Sequence, residues 1–307
     1  CLTDATLLVG ECYYLSHFCP KLFGKVTYFM RHTARLNLFS YFCKRIIVKF
    51  MNNKRPLILI SNDDGYQAKG INSLVDMLRD MCDILVCAPD SARSGFATAF
   101  TSSVPLRLTQ RRKEEGLEVY SSNGTPVDCV KVALVEFFKD RMPDMIIGGI
   151  NHGDNSSVNV HYSGTMGIVI EGCMKYVPSI GFSLCDFAAD ADFSPLTPYV
   201  RDIVSKVLSK GLPQGVCLNV NFPKAQTFEG VKMCRMGKGT WFNECDKRRH
   251  PHGHDYYWMT GQYRSDEPEA DDTDTWALRH GYVAITPTRI DVTDYDFLKN
   301  YELGITN

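Results

Sequence analysis

The sequence predicts an α/β fold in which a doubly wound, mostly parallel sheet is followed by a smaller β region. Three patterns carry that prediction. Between residues 57 and 221, short continuous apolar runs alternate with stretches whose apolar residues recur at helical spacing. Each run stops at a cluster of Asn, Asp, Gly or Pro, as buried parallel strands do where they leave the core. Beyond residue 222 the alternation gives way to short β-type segments between polar loops.

Leu57-Ile58-Leu59-Ile60-Ser61 is the first strand, ended by Asn62-Asp63-Asp64-Gly65. Ile71, Leu74, Val75 and Leu78 then set an amphipathic helix over 70–81. Ile84-Leu85-Val86-Cys87-Ala88 is the second strand, closed by Pro89-Asp90, and residues 116–120 suggest a hairpin or edge strand. Thr125 suits an N-cap and Pro126 a first helical position, opening a helix through Val127, Val130, Lys131, Leu134 and Phe138. Strands follow at 145–150, 179–184 and 216–221, separated by helices at about 165–175 and 198–210. Segments near 231–236, 255–263 and 282–286 read as an appended β region. The expected division is an N-terminal extension over 1–54, an α/β domain over 55–222 and a C-terminal β region over 223–307.

The chain has 307 residues, 44% of them apolar, enough for a large core. Its 34 Lys and Arg balance 35 Asp and Glu, which weighs against a nucleic-acid binder but leaves small anionic substrates open. Twelve cysteines include no C-x-x-C pair. Cys82, Cys87, Cys129, Cys173, Cys185 and Cys217 lie in apolar runs and read as small buried hydrophobes, which implies a reducing compartment and a cytoplasmic location. No stretch approaches the roughly 18 apolar residues of a membrane helix, so no membrane partner is expected. Residues 1–50 are basic and aromatic, with Cys1 in place of a start methionine. They could be a targeting segment or a small folded extension. The favoured expectation is upstream coding sequence, poorly ordered, with Met51 as the natural start.

In open α/β sheets, ligands bind beyond the carboxyl ends of the strands. Three such loops are rich in oxygen ligands: Asn62-Asp63-Asp64-Gly65, Asp90-Ser91-Ala92-Arg93-Ser94-Gly95 and Asn151-His152-Gly153-Asp154-Asn155. Two adjacent carboxylates at a buried strand end repel each other, and a hard divalent cation relieves that. The plainer reading is that Asp63 and Asp64 cap the next helix and that Ser94 and Asn151 close turns. Each residue gains weight from the company of the others. Ser163-Gly164-Thr165 at a helix start would favour a phosphate, or simply cap the helix. Arg93 and His152 could add donors, or lie on the surface. His250-Pro251-His252-Gly253-His254 reads as a polar hairpin loop and Asp271-Asp272-Thr273-Asp274 as a solvated loop.

Five ordered motifs give a further lead. These are Ile60-Ser61-Asn62-Asp63-Asp64-Gly65, Ala88-Pro89-Asp90 leading to Arg93-Ser94-Gly95, Gly124-Thr125-Pro126-Val127-Asp128-Cys129, Gly149-Ile150-Asn151-His152-Gly153-Asp154-Asn155 and Tyr162-Ser163-Gly164-Thr165. Together with Gly281-Tyr282-Val283-Ala284-Ile285-Thr286-Pro287 they resemble the survival protein SurE family of 5′/3′-nucleotidases, over about 55–295. The resemblance implies a Rossmann-like domain and a C-terminal β region that exchanges elements in a homodimer or homotetramer. It implies one divalent ion per subunit, Mg²⁺ or Mn²⁺, on Asp63, Asp64, Ser94 and Asn151, with Asp63 and Asp64 catalytic. Substrate and phosphate contacts would fall on Asn62, Asn155, Ser163, Gly164 and Thr165. The expected substrates are nucleoside 5′- and 3′-monophosphates, with short polyphosphate as a further one. Phe96 stands where many members carry small polar residues, which bears on base preference. The expected reaction is in-line attack by a water whose proton goes to Asp63 or Asp64, with a covalent aspartyl-phosphate as a variant. A non-catalytic metal- or nucleotide-binding module is the alternative function. A phosphorelay receiver fits less well, because the 145–150 strand ends in Asn151 and not in an acceptor aspartate.

Overall fold

The alternating runs assemble, in a computed structural model that describes residues 55–301, into one nine-stranded sheet. Its strands are β1 (Leu57–Ser61), β2 (Asp83–Pro89), β3 (Leu108–Glu114), β4 (Leu117–Ser122), β5 (Met145–His152), β6 (Ser179–Leu184), β7 (Val216–Phe222), β8 (Gly230–Met233) and β13 (Tyr282–Arg289). Their order across the sheet is β3-β4-β2-β1-β5-β6-β7-β13-β8. From β4 to β7 every neighbouring pair is parallel; β3 and β13 run antiparallel to β4 and β7. The extension expected over 1–54 lies outside the described residues.

Successive side chains of a strand point to opposite faces, and both faces of this sheet are covered. Ile58 and Ile60 of β1 pack with α1 (Lys69–Leu78) and α4 (Thr197–Lys210), through Leu74, Leu78, Val200 and Val204. Leu59, between them, packs on the other side with Cys129 and Val130 of α2 (Pro126–Phe137) and Ile168 of α3 (Gly164–Met174). A strand buried on both faces must be apolar at every position, which is why β1 reads as a continuous run. Cys87, Cys129 and Cys217 are buried free thiols of this core, and Cys185 is half-buried.

Helix α2 begins as its sequence requires. The Thr125 hydroxyl accepts from the Asp128 amide at 3.1 Å, and the Asp128 carboxylate accepts from the Thr125 amide at 2.8 Å. This reciprocal capping box satisfies two orphan donors, with Pro126 in the first turn.

The C-terminal half departs from expectation. Two of its segments, β8 and β13, join the central sheet, so no separate β domain begins at 223. Residue pairs run from Ala284 opposite Asn221 to Arg289 opposite Val216. The cause is visible in Val283, Ala284 and Ile285, which form a buried apolar run like those of the parallel strands. What remains outside the sheet is β9 (Gly239–Phe242) with β12 (Gln262–Ser265), and β10 (Cys245–Arg249) with β11 (Asp255–Met259), both antiparallel. His250 to His254 form the tight turn between β10 and β11. The Asp271–Asp274 stretch is not wholly solvated. Thr273 and Asp274 are fully buried where they start α5 (Asp274–Arg279), and the Asp274 carboxylate accepts from the amides of Ser157 and Gly237, each at 2.9 Å. Residues 295–300 form a further helix, α6 (Tyr295–Asn300). No helix among the described residues is long and apolar enough to cross a membrane.

Gly70, in the first turn of α1, holds that helix against the end of β5: a Cβ there would lie 1.9 Å from the Ile150 carbonyl oxygen. Gly70→Ala is therefore expected to destabilise the protein by about 1–3 kcal/mol, the usual cost of overpacking a close contact. Urea unfolding of the variant beside the parent protein measures it.

Candidate active site

Strand order reverses between β1 and β5. The chain passes from β1 to β2 on one side of the sheet, and from β5 to β6 and β7 on the other. Loops leaving neighbouring strands at such a point diverge, and a crevice opens between them. Asp63 and Asp64 leave β1 there, and Asn151 stands at the end of β5.

Backbone hydrogen bonds tie three loops to this spot. The Arg93 amide donates to the Asp63 carbonyl at 2.6 Å, and the Tyr66 amide to the Pro89 carbonyl at 3.0 Å, so the loop after β2 is seated on the loop after β1. From β5, the His152 amide donates to the Asp64 carboxylate at 3.2 Å. The start of α3 closes the fourth side. The Thr165 hydroxyl donates to Asp63 Oδ1 at 2.6 Å, and the Gly164 amide also bonds this carboxylate. Only glycine fits at 164, because a Cβ would lie 2.7 Å from that of Asp63.

Asp63 is 4% exposed. Burial pushes its carboxyl up, and the neighbouring Asp64 adds to this, to about 6, against the lowering effect of the Thr165, Gly164 and backbone hydrogen bonds. Asp64 is half-buried and raised as well, chiefly by burial. The nearby basic groups look elsewhere. Arg93 turns to Asp90 at 3.9 Å, to the Asn123 carbonyl at 3.3 Å and to the Phe96 ring at 5.9 Å. His152 turns Nδ1 to the Ala188 carbonyl at 3.0 Å and packs edge-on against Phe193. Among the described residues, neither aspartate forms an ion pair with Lys or Arg.

That arrangement suits a divalent cation. Two carboxylates held together under burial have no Lys or Arg partner among the described residues, and the neighbouring strand ends at a residue that can offer an amide oxygen. The candidate donor is Asn151, which is 9% exposed and gives its amide nitrogen to the Gly153 carbonyl at 2.8 Å. Its amide oxygen accepts no hydrogen bond from the described residues. Register between β5 and β6 shifts between Gly148 and Asn151, an irregularity of the kind that re-aims a side chain at a strand end. Ser94 is exposed, one residue beyond the anchored Arg93.

The remaining residues singled out by sequence take up defined places. Asn62 is fully buried and donates to the Gly65 carbonyl at 3.0 Å, which shapes the aspartate turn from beneath. Ser163 caps α3, accepting from the Met166 amide at 3.0 Å; its hydroxyl proton stays available to an anion. Thr165 is fully buried and spends its proton on Asp63. Asn155 is 5% exposed and donates to the Ser183 hydroxyl at 2.8 Å. Sequence reading passed over the residues behind it, Ser183, Asn219 and Asn221. The available signal was two asparagines two positions apart in the otherwise apolar β7, which puts both on one face.

Comparison with known proteins agrees with this geometry. Residues 58–243 match the family model described as "Survival protein SurE". A protein from Phocaeicola vulgatus named 5′-nucleotidase SurE is 57% identical over 258 residues, covering 83% of this chain and 100% of that relative. A second of the same name, from Bacteroides thetaiotaomicron, is 54% identical over 248 residues, 81% of this chain and 95% of the relative. The crystal structure of the SurE protein from Aquifex aeolicus superposes with a TM-score of 0.68 at 33% identity, over 80% of this chain and 98% of that one. With the paired aspartates at the reversal point of such a sheet, the chain belongs to the survival protein SurE family.

Proposed function

We propose that the protein is a phosphomonoesterase that hydrolyses nucleoside 5′-monophosphates, and 3′-monophosphates and short polyphosphate besides, with one Mg²⁺ or Mn²⁺ per subunit. The observation that carries this reading is the Asp63–Asp64 pair, held under burial without a Lys or Arg partner among the described residues, at the crevice between β1 and β5. The relatives named 5′-nucleotidase supply the substrate class. Asp63, Asp64, Ser94 and Asn151 would hold the ion. When bound, it neutralises charge on the phosphoryl oxygens and so lowers the barrier to attack on a dianion.

The protein's own groups do the rest. Asp63 is locked by Thr165 and Gly164 and acts by its fixed charge. Asp64 is the more exposed of the pair and has no side-chain donor on it, so it is the one free to take the proton of the attacking water. The free Ser163 hydroxyl proton and the second side-chain N–H of Asn155 would meet the phosphoryl oxygens. Self-association as a homodimer or homotetramer is supported by the apolar residues exposed on both faces of β11, Tyr257 and Met259 on one (58% and 75% exposed) and Trp258 on the other (62%).

Phosphate release from AMP is expected with Mn²⁺, lost on adding EDTA and restored by excess Mn²⁺. Binding of both without release would instead mark a binding module. Asp63→Asn is expected to lower kcat by about 10²–10³ and to remove the Mn²⁺-induced rise in Tm, read by differential scanning fluorimetry.

A pH dependence follows from burial. In the metal-free protein Asp63 has a carboxyl raised from 3.8 to about 6. Its protonated form is favoured by the fold, so its stabilising contribution is complete below 3.8 and is lost as pH rises through about 6. Mn²⁺ competes with that proton. The Tm increment from Mn²⁺ should therefore be large at about pH 7.5 and shrink as pH falls through 6, in a fluorimetric titration.

A further inference from the structure

A strand interior seldom carries two buried amides, because each needs partners. Asn219 and Asn221 of β7 are 2% and 0% exposed. Asn151 pairs in register with Ser183, and Ser183 with Asn221, so a polar row crosses the carboxyl ends of β5, β6 and β7. Behind the loop after β5 the row closes into a ring. The Asn155 backbone amide donates to Asn221 Oδ1 at 2.7 Å. Asn221 Nδ2 donates to Asn219 Oδ1 at 2.8 Å, and Asn219 Nδ2 donates to the Asn155 backbone carbonyl at 2.7 Å. The ring begins on an obligate donor and ends on an obligate acceptor of one residue, so both side-chain amides have a single orientation that satisfies every bond.

We propose that Asn219 and Asn221 are positioning residues that aim the Asn155 side chain at the substrate phosphate. The proposal rests on the nucleotidase reading above, in which Asn155 meets a phosphoryl oxygen. Asn155 lies in a loop, yet both its backbone polar groups are fixed by β7 and its side chain is steadied by Ser183. A loop held this way has lost its freedom before substrate arrives, so that cost does not fall on binding or on the barrier. Filling space would not need this device. The β7 neighbours Cys217, Leu218, Val220 and Phe222 are apolar, and the two amides serve the polar backbone groups of Asn155.

Asn221→Asp tests polarity at constant shape. Its carboxylate can still accept from the Asn155 amide but cannot donate to Asn219. Once protonated it can do both, with one oxygen accepting and the hydroxyl donating. The full chain would be assayed for phosphate release from AMP with Mn²⁺. Its Tm shift would be read with Mn²⁺ alone and with Mn²⁺ plus inorganic phosphate. At pH 8 the variant should lose about ten- to a hundredfold in kcat/KM, as small misplacements of a reacting group do. Its phosphate-induced shift should shrink while its Mn²⁺-induced shift stays. The ratio of variant to wild-type activity should rise as pH is lowered, and the ligand-free Tm followed over the same pH range separates this from a recovery of stability. Added to Asn155→Ala, the same change should cost little more. Unchanged kcat/KM and phosphate shift at pH 8, or losses that multiply in the double variant, would overturn the proposal. Should Asn221→Asp fail to fold, Asn219→Asp breaks the ring at the Asn155 carbonyl and is read by the same comparisons. A wild-type protein that hydrolyses no nucleotide removes the functional reading alone; the phosphate-induced shift still decides the role of the ring.

Discussion

Two carboxylates held side by side under burial are the constraint around which this molecule is arranged. Asp63 and Asp64 follow a strand that is apolar on both faces, at the one place in the sheet where neighbouring loops separate. Desolvation raises both groups, and the charge of Asp64 adds to the cost at Asp63. The fold offsets this in part through Thr165, Gly164 and the His152 amide, all donors aimed at the pair. It supplies no lysine or arginine from the described residues. A pair so built is short of positive charge, and its geometry is fixed by the backbone around it.

That rigidity comes from several directions. Helix α1 approaches the end of β5 at a distance only Gly70 permits, and α3 approaches Asp63 at one only Gly164 permits. The loop after β2 is pinned by the Arg93 amide and the loop after β5 by β7. Precision at the rim is thus inherited from helix packing and sheet register, whose faces are dry and close-packed.

The parallel half of the fold was legible because burial on both faces demands unbroken apolar runs, and the turn residues that end them are equally plain. Strands β1, β2, β5, β6 and β7 and helices α1 to α4 stand within a few residues of where periodicity sets them. The paired aspartates were legible for a related reason: like charges at the end of such a run repel and lose hydration together, a cost that a cation between them removes. Sequence reading failed where long-range pairing decides. Nothing local in Tyr282 to Arg289 says that this strand lies against β7 and not in a separate region. Asp274 looked solvated beside Asp271 and Asp272, yet its partners are the Ser157 and Gly237 amides, remote in sequence. Asn219 and Asn221 could have been noticed as polar breaks in an apolar strand, but their partner lies in another loop.

The placement of β13 has a consequence for how the chain is made. Strand β7 leaves the ribosome long before β13, and β13 is the neighbour that covers its open side. Through that interval the nascent polypeptide presents a bare row of amides and carbonyls next to Asn219 and Asn221, the kind of edge that recruits stray strands. Synthesis of the last segments therefore does more than append a tail: it seals the half-built sheet against aggregation.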